Sequence, residues 1–480
     1  MRTQHARLLS MPDIVRIDRD LGPIMAEETV RGRPPAERVA AVATIPKPDE
    51  LTWWDWTVFL LHTAAEIEHA LMVQYLYAAY SLAEDGFQGP AVPAGASELV
   101  GTWRQTIVGI AKEEMAHLLT VQNLLRFIGG PLNLEREDFP FRAFLYPFPL
   151  QLEPLTRTSL AKYVAAEMPA TPPQPPELIQ EIRDRATAAT GGLAINRVGV
   201  MYDTLISIFE DETKLAASDL RPKTAEDFQA APTDWRARDP LLVRVVHTRE
   251  EAVAALRAVG EQGEGSANPP PGAAPSHFDR FIGIWTAFPE TEGAAGSGTW
   301  TPTRPVPSNP NTLPHPSADA ALERGRITHP TTRLWAQLFN TRYRMLLVDL
   351  AHALHLPGPM TAAGTTTVKG NVRNWTFQEM TGRPRAGLRG IAKALATMPL
   401  KATSAPADPA NAGPPFELPY TLALPDNERD RWRLHLALLE TSRELIGRIQ
   451  TVSGTNAILD ELVATDLKAK KVVEDQLALP

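Results

Sequence analysis

Cysteine is absent from this chain of 480 residues. The absence excludes disulfides, iron–sulfur clusters, thiolate zinc sites and cysteine nucleophiles. Any metal must therefore be bound by carboxylate oxygens and imidazole nitrogens, a set of ligands that suits iron, manganese, zinc or copper.

Long apolar runs and an excess of positive charge are also missing. No stretch approaches the ~18 consecutive apolar residues of a membrane-spanning helix, and residues 1–20 lack the apolar core of a secretory signal. The net charge of −8 does not favour binding to nucleic acid or to an anionic membrane. We therefore expect a cytoplasmic protein that binds a small-molecule substrate, with neither nucleic acid nor a membrane as partner. The sequence leaves open whether the protein forms a homodimer.

Strand signals are weak, and helical spacing of the apolar residues dominates. The 44 prolines cluster in segments that read as irregular loops, namely 168–176, 268–275 and 289–315. Between these segments the pattern predicts helices over 51–82, 97–128, 155–168, 177–189, 195–215, 248–263, 277–285, 331–355, 385–397 and 427–475. We therefore predict an all-α fold. Its parts are an irregular arm (1–50), a helical bundle (51–288), a Pro/Gly-rich linker (289–330) and a helical C-terminal region packed on the bundle (331–480).

Carboxylates interrupt the apolar seams of the first two long helices. Steps of three and four residues along 61–82 meet apolar or aromatic side chains except at Glu68. The seam along 107–128 contains Glu114 and His117, which lie one turn apart. Burial of such groups costs several kcal/mol unless each is paired or binds a metal. A divalent cation between the helices would satisfy all three, as in di-iron carboxylate bundles, where Glu on one helix faces Glu-x-x-His on its neighbour.

The Glu-x-x-His spacing is weak by itself, because chance gives roughly one in a chain of this composition. A second copy, Glu66 with His69, lies off the seam and reads as a surface pair or an outer layer of the site. For Glu114 and His117, the alternative without a metal is a buried hydrogen bond between the two side chains.

Further candidate ligands lie at the ends of predicted helices. Glu261 and Glu264 are one turn apart, and a proline-rich loop could return His277 to Glu264 as a broken Glu-x-x-His. On spacing alone, solvent exposure of both glutamates is favoured. Glu167 ends the apolar side of its helix just before Pro169, where it is either a ligand or the partner of a neighbouring base.

Two tyrosines on apolar faces, Tyr75 and Tyr202, are candidate catalytic groups beside the ligands. Asp203 lies on another face of the helix that carries Tyr202, and solvent exposure is expected there. His352 and His355 lack a carboxylate on their seam and read as ordinary polar positions.

Two strings carry a resemblance to a known family, AAEIEHALMVQYLYAAYSL and IAKEEMAHLLTVQNLLRFIGGPLNL. They resemble the ferritin-like domain of the iminophenylpyruvate dimer synthases of violacein biosynthesis. The later strings AVGEQGEG, SHFDRF and AGPPFEL agree, so that the resemblance spans residues 50–440. Glu68 ahead of Gln74 and Tyr75 is also similar to the first helix of bacterioferritin, in which a ligand glutamate precedes a Gln-Tyr pair.

The resemblance implies a ferritin-like four-helix bundle with a helical C-terminal extension. It makes Glu68, Glu114 and His117 metal ligands, with Glu264 and His277 completing the site. Glu261 would lie close by, and Glu167 would be a further ligand.

One position differs from the family. Where the family has a glutamate in an Ile-Gly-Glu-Phe-Tyr-like string, this chain has Val200. Because bridging carboxylates offset the repulsion between two dications, Val200 predicts about one tightly bound metal per chain. The exception would be a bridge supplied by Glu167, by Asp203 or by the pair of Glu261 and Glu264.

The resemblance implies a non-haem iron oxidoreductase of bacterial secondary metabolism, with one or two iron ions per chain, or another divalent metal in their place. Such an enzyme would oxidise or couple a small amino-acid-derived substrate with O2 or peroxide. The alternative is a metal- or substrate-binding ferritin-like protein without turnover. Iron storage fits less well, because storage cages are built from short single bundles.

Overall fold

In a computed structural model the chain folds into helices that group into two compact units. The structure describes residues 45–87, 89, 91–139, 141, 145–193, 195–221, 228–235, 243–265, 272–289, 300–313, 320–381, 386–403, 408–418 and 422–479. The first unit comprises residues 1–79, 84–151 and 155–302, and the second comprises 80–83, 152–154 and 303–480. Most of the predicted N-terminal arm, residues 1–44, lies outside the described residues.

The first unit is built around two long helices. Its described helices are α1 (Trp53–Ser81), α2 (Ala96–Phe127), α3 (Arg157–Ala166), α4 (Pro176–Ala189), α5 (Gly199–Phe209), α6 (Arg249–Glu264) and α7 (His277–Ala287). Two short 3-10 helices cover Ala217–Asp219 and Pro232–Trp235. The helices α1 and α2 have 29 and 32 residues. Each is long enough to span a helical bundle, so that residues near its middle can lie in the bundle's interior.

The helices α1 and α2 run antiparallel. Trp54, at the start of α1, donates its indole N–H to the carbonyl of Ile128 just beyond α2 (2.9 Å). Arg104, near the start of α2, pairs with Glu84 beyond the end of α1 (3.5 Å). The middles of the two helices therefore face each other, and this is where the seam carboxylates lie.

Side-chain caps fix where three shorter helices begin. Thr156, Thr248 and Ser276 each accept a hydrogen bond from the backbone N–H three residues later. A cap of this kind contributes about 1 kcal/mol. The cap at Ser276 begins α7 at His277, whereas Glu167 directly follows Ala166, the last residue of α3. Both residues thus lie at helix ends, and both are buried.

The second unit contains a further group of helices and one small hairpin. Its described elements are α8 (Ala320–Gly325), α9 (Pro330–Ala353), β1 (Thr361–Ala362), β2 (Thr365–Thr366), α10 (Val368–Thr381), α11 (Leu388–Leu395), α12 (Glu428–Ser453) and α13 (Ala457–Leu477). The two strands are antiparallel. Val348, Val372, Trp432 and Val473, one from each of α9, α10, α12 and α13, belong to one buried cluster.

The predicted all-α fold is confirmed, with differences in detail. The predicted helix 427–475 is two helices, because Gly454 adopts a left-handed φ of 77° and Asn456 then caps α13. Neither α10 nor the hairpin was predicted. The predicted linker 289–330 spans the boundary between the units at residues 302 and 303. Within the described ranges, no helix combines the length and the hydropathy needed to cross a bilayer.

Candidate metal centre

The three seam residues of α1 and α2 meet in the middle of the first unit. The Nδ1 atom of His117 lies 3.0 Å from Oε2 of Glu114 and 3.3 Å from Oε2 of Glu68. All three residues are only 2 % exposed. One ligand atom from each lies within 4.8 Å of the other two, a spacing that a single metal ion can bridge.

A second group of ligand atoms adjoins the first and shares Glu114 with it. The Nδ1 atom of His277 lies 3.0 Å from Oε1 of Glu114 and 3.6 Å from Oε2 of Glu167. These three residues also offer ligand atoms within 4.8 Å of one another, and all are buried. Glu114 therefore presents one oxygen to each group, which is the geometry of a carboxylate that bridges two metal positions.

Two atoms at the junction lack hydrogen bonds. Oε1 of Glu114 and Nδ1 of His277 are buried and lie 3.0 Å apart, but their orientation does not fit a hydrogen bond, and neither has a hydrogen-bond partner elsewhere in the part of the chain that the structure describes. An unsatisfied buried polar atom costs about 1–3 kcal/mol. A metal ion would satisfy both atoms, so that the residues present fit a metal better than a network of hydrogen bonds.

Each imidazole of the centre contacts an oxygen acceptor through Nε2, the ring nitrogen that does not face the ligand carboxylates. Nε2 of His117 lies 2.8 Å from Oε1 of Gln262, and Nε2 of His277 lies 2.9 Å from Oε2 of Glu113. Because an acceptor beside Nε2 places the ring proton there, the lone pair of Nδ1 is free to bind a metal. Arg280 also contacts Glu113, with 3.2 Å between Nη1 and Oε1 and a second, shorter contact from Nη2.

Both predicted tyrosines hydrogen-bond to carboxylates of the centre. The hydroxyl of Tyr75 donates to Oε1 of Glu167 at 2.6 Å, and that of Tyr202 donates to Oε1 of Glu68. Burial raises the pKa of both phenols well above the usual value, and the adjacent carboxylates add to the rise. The tyrosines therefore stay protonated and orient the carboxylates.

The ionisable groups of the centre shift one another's pKa values. Burial raises the pKa of Glu68 to about 7, and the charge of Glu114 adds to the rise. Burial by itself would lower the pKa of His117, but the charge of Glu68 and hydrogen bonds to Glu114 and Glu68 raise it to about 10. The pKa of His277 is also raised, because the charge of Glu114 and its carboxylate contacts outweigh burial. Protons on the imidazoles therefore offset the buried negative charge, and a metal would displace them.

The structure does not bring Glu264 or Glu261 into either group of ligand atoms. The Glu264 carboxylate accepts hydrogen bonds from Nη2 of Arg197 (2.5 Å) and from the backbone N–H of Gly199 (3.0 Å). Burial raises its pKa to about 7. Glu261 is exposed. The predicted roles of these two glutamates as ligands therefore have no geometric support, since one is held by an arginine and the other faces solvent.

A small cavity, about 10 Å³ in volume, adjoins the centre. Glycines form part of its wall, and a Cβ atom at Gly263 would lie 3.0 Å from Oε2 of Glu167. Gly199 is similarly required, because a Cβ atom there would lie 2.5 Å from Oε1 of Glu264. The residues that line the cavity are Glu68, Leu71, Glu114, His117, Glu167, Val198, Gly199, Tyr202, Val259, Gly260, Gly263 and Glu264.

Sequence reasoning did not find the outer partners Glu113, Gln262 and Arg280. Glu113 had a signal, since it directly precedes Glu114 in the string KEEMAH. Glu66, predicted at the surface or in an outer layer, is buried and accepts from Asn133 (3.1 Å).

Part of the chain matches a known protein family. Residues 61–286 match the protein-family model described as Ferritin-like. This segment is a ferritin-like domain. It contains every residue of the two groups of ligand atoms as well as their outer partners Glu113, Gln262 and Arg280.

Two curated relatives resemble the chain at modest identity. Dichlorochromopyrrolate synthase of Lentzea aerocolonigenes is 26% identical over 384 residues, which cover 75% of this chain and 35% of that protein. The 2-imino-3-(indol-3-yl)propanoate dimerase of Chromobacterium violaceum is 27% identical over 238 residues, 46% of this chain and 22% of that protein. The chain thus spans about a third or less of each relative's length. By name both are biosynthetic enzymes, and the predicted resemblance is confirmed.

A solved structure of a ferritin-like protein from Caulobacter vibrioides is also similar. It has a TM-score of 0.38 and 17% sequence identity, and the match covers 66% of this chain and 94% of that one.

Proposed function

We propose that the chain is a metal-dependent oxidoreductase whose ferritin-like domain holds two ions, with iron as the metal. The observation that carries the proposal is the shared carboxylate: Glu114 presents one oxygen to Glu68 and His117 and the other to Glu167 and His277. Val200 predicted a single metal position. Glu167 supplies the carboxylate that the sequence lacks at that position, which supports two.

The residues of the centre have separable roles. Glu68 and His117 would hold one ion, Glu167 and His277 the other, and Glu114 would bridge them. Bound iron supplies redox chemistry with O2 or peroxide. Tyr75 and Tyr202 each occupy one oxygen of a terminal carboxylate, which leaves the second oxygen facing the centre. Burial of all five ligands excludes bulk water.

The reaction class follows from the size of the cavity and from the names of the relatives. The cavity beside the ligands leaves about 10 Å³ for the centre of a water-sized molecule and therefore accepts a ligand of about that size. We therefore assign it to O2 or peroxide. The organic substrate would be a small amino-acid-derived compound, as the names of the synthase and the dimerase suggest. Coupling two such molecules with loss of one hydrogen atom from each releases two electrons and two protons, which peroxide accepts to form two waters.

The rim of the cavity offers a contact for such a substrate. Arg197 and Glu264 form an ion pair there, and their side chains are 29% and 12% exposed. A carboxylate on the substrate would exchange with that of Glu264 for the guanidinium of Arg197.

The alternative function is metal binding without turnover. The burial of all five ligand residues favours it, because burial limits the access of an organic substrate to the metal. Ferrous iron added to the metal-free protein separates the two. An oxidoreductase consumes O2 repeatedly while an oxidisable organic substrate is present, whereas a binding protein consumes at most one O2 for every two ferrous ions that it oxidises to the ferric state.

Metal content tests the proposal directly. We expect two ions per chain after reconstitution with ferrous iron, and fewer than 0.2 (about a tenfold loss or more) in Glu114→Gln, which removes the shared ligand. Glu66→Gln is the matched control, because Glu66 is an equally buried glutamate of α1 outside both groups of ligand atoms. If Glu114→Gln retains the wild-type content, the metal binds elsewhere and the proposal is wrong.

A further inference from the structure

The two imidazoles of the centre face it in the same way but have different outer partners. Among the described residues, His277 contacts a carboxylate through Nε2, that of Glu113. His117 contacts an amide oxygen through Nε2, that of Gln262. The two distances are nearly equal, 2.9 and 2.8 Å, so the difference between the partners is chemical.

A carboxylate and an amide constrain an imidazole to different degrees. The ionised Glu113 carboxylate can only accept, which forces the proton of His277 onto Nε2 and leaves Nδ1 free for a metal. It also makes the ring a stronger donor to that metal. The Gln262 amide can accept through oxygen or, after rotation, donate through nitrogen. In the second orientation Nδ1 of His117 would carry the proton and could not bind a metal.

The geometry around His277 is also more rigid. Glu113 lies next to the ligand Glu114 on α2, whereas Arg280 lies three residues after His277 on α7. Arg280 contacts both oxygens of Glu113. Glu113 on α2 therefore contacts both His277 and Arg280 on α7. Gln262 lies in the last turn of α6 and is half-buried, and no ion pair fixes its amide within the described residues.

We propose that Glu113 is a positioning residue that makes one metal position fill before the other: the position of Glu114, Glu167 and His277 binds more tightly than that of Glu68, Glu114 and His117. The inference rests on the proposed two-metal centre and adds the order in which its positions are loaded. Arg280 supports the same position by holding Glu113.

The test is a titration of the full metal-free chain with Co²⁺, followed by calorimetry and by visible absorption. The wild type should show two classes of binding, and His277→Ala should lose the tighter one while His117→Ala loses the weaker one. Glu113→Gln keeps the shape of the side chain but removes its charge. It should weaken the tighter class about 10–100-fold, as expected for the outer partner of a ligand, and leave the weaker class within about twofold.

The reciprocal variant is Gln262→Glu, which gives His117 a carboxylate partner. It should tighten the weaker class and bring the two affinities together. A merely structural role for Glu113 would not produce this selectivity. Thermal unfolding of the metal-free variants shows, independently of metal binding, whether each variant is folded. If Glu113→Gln does not fold, Arg280→Gln should weaken the same class by a smaller factor.

Three results would overturn the inference. If His117→Ala removes the tighter class, or if Glu113→Gln weakens both classes equally or neither, the loading order is wrong while the two-metal centre stands. If Glu114→Gln binds Co²⁺ like the wild type, the proposed centre itself fails, and the inference fails with it.

Discussion

Each unit of this protein buries a pair of stacked histidines among carboxylates, yet the two sites have opposite electrostatics. The rings of His117 and His277 lie 5.5 Å apart at an interplanar angle of 26°. Those of His352 and His435 in the second unit lie 5.0 Å apart at 27°. What differs is the source of the positive charge that balances the surrounding carboxylates.

In the second unit an arginine balances the acids. Arg342 is 1% exposed and donates from Nε to Oε2 of Glu379 (2.8 Å) and from Nη1 to Oδ1 of Asp466 (2.5 Å). The hydroxyl of Ser442 donates to the other oxygen of Asp466 (2.9 Å). The acids of this network thus have a cation of their own, and no group of metal-ligand atoms occurs among the second unit's described residues.

Among the first unit's described residues, no arginine forms an ion pair with the carboxylates of the centre. Within the described parts of the chain, Glu68, Glu114 and Glu167 form ion pairs only with His117 and His277. The pKa values of these histidines are raised, while burial lowers those of His352 and His435 to about 4. A buried acidic cluster is compatible with metal binding where the protein supplies no fixed cation, and the first unit meets that condition among its described residues.

The second unit also contains a chain of hydrogen bonds that reaches the surface. Asp349 lies 3.1 Å from Nδ1 of His435. Nε2 of His435 lies 2.8 Å from Nδ1 of His352, whose Nε2 lies 2.9 Å from Oε1 of the exposed Glu428. The ring of His352, which the sequence predicts to be an ordinary polar position, is fully buried.

The largest expected effect comes from replacing Arg342, the buried arginine of the second unit. Arg342→Met leaves Glu379 and Asp466 buried without their cation, and we expect a loss of about 3–5 kcal/mol in the free energy of unfolding. Urea unfolding measured by the fluorescence of Trp375 and Trp432 is the test. The metal content of the folded protein should not change, and a loss of metal would contradict the separation of the two sites.

The next largest effect distinguishes the shared ligand from the terminal ones. Glu114→Ala should abolish tight binding at both positions, with at least about a hundredfold loss of affinity, whereas His117→Ala should spare one ion. Titration of the metal-free protein measures the affinities, and elemental analysis of the reconstituted protein counts the ions that remain. Asp349→Asn, at the matched site of the second unit, is the control and should retain both ions. Equal losses in the two ligand variants would show that Glu114 is not shared.

A third prediction concerns pH. Burial lowers the folded-state pKa of His435 to about 4 from 6.5, so the unfolded chain binds more protons between these values. The contribution of His435 to stability is therefore full above pH 6.5 and is lost as the pH falls towards 4, by roughly 2–3 kcal/mol.

The pH effect must be measured as a difference between proteins. Burial raises the pKa of Asp349 and Glu379, which act in the opposite direction. The free energy of unfolding of the wild type relative to His435→Gln should fall on acidification through this window. A difference that stays constant from pH 7 to pH 4 would contradict the assignment of a neutral buried imidazole.

The smallest expected effect tests how closely the carboxylate of Glu167 packs against Gly263. In Gly263→Ala the new methyl group would lie 3.0 Å from Oε2 of Glu167. The carboxylate must shift, which should weaken the position of Glu167 and His277 severalfold, by about 1 kcal/mol. In the control Gly260→Ala the new atom would have ordinary contact, 4.0 Å from Cβ of Tyr202. Co²⁺ titration of both variants measures the difference, and equal affinities would place Glu167 outside the centre.

Sequence patterns predicted the part of the centre that lies within regular helices. Glu68, Glu114 and His117 interrupt apolar seams, and helical geometry alone places residues three or four apart on one face. The same reasoning left the positions of Glu167 and His277 open. These residues lie at the ends of α3 and α7, where the direction of the chain depends on caps and loops.

The sequence by itself therefore determined the all-α fold, the two ligand-bearing seams and the oxygen and nitrogen character of any metal site. Tertiary structure alone placed Glu114 between the two groups of ligand atoms, brought Glu167 beside His277 and paired Glu264 with Arg197. It also decided that Glu113 faces His277, although Glu113 is adjacent to Glu114 in the sequence. The physical reason is that helical periodicity fixes which residues share a face, whereas charge pairing depends on distances between elements that are far apart along the chain.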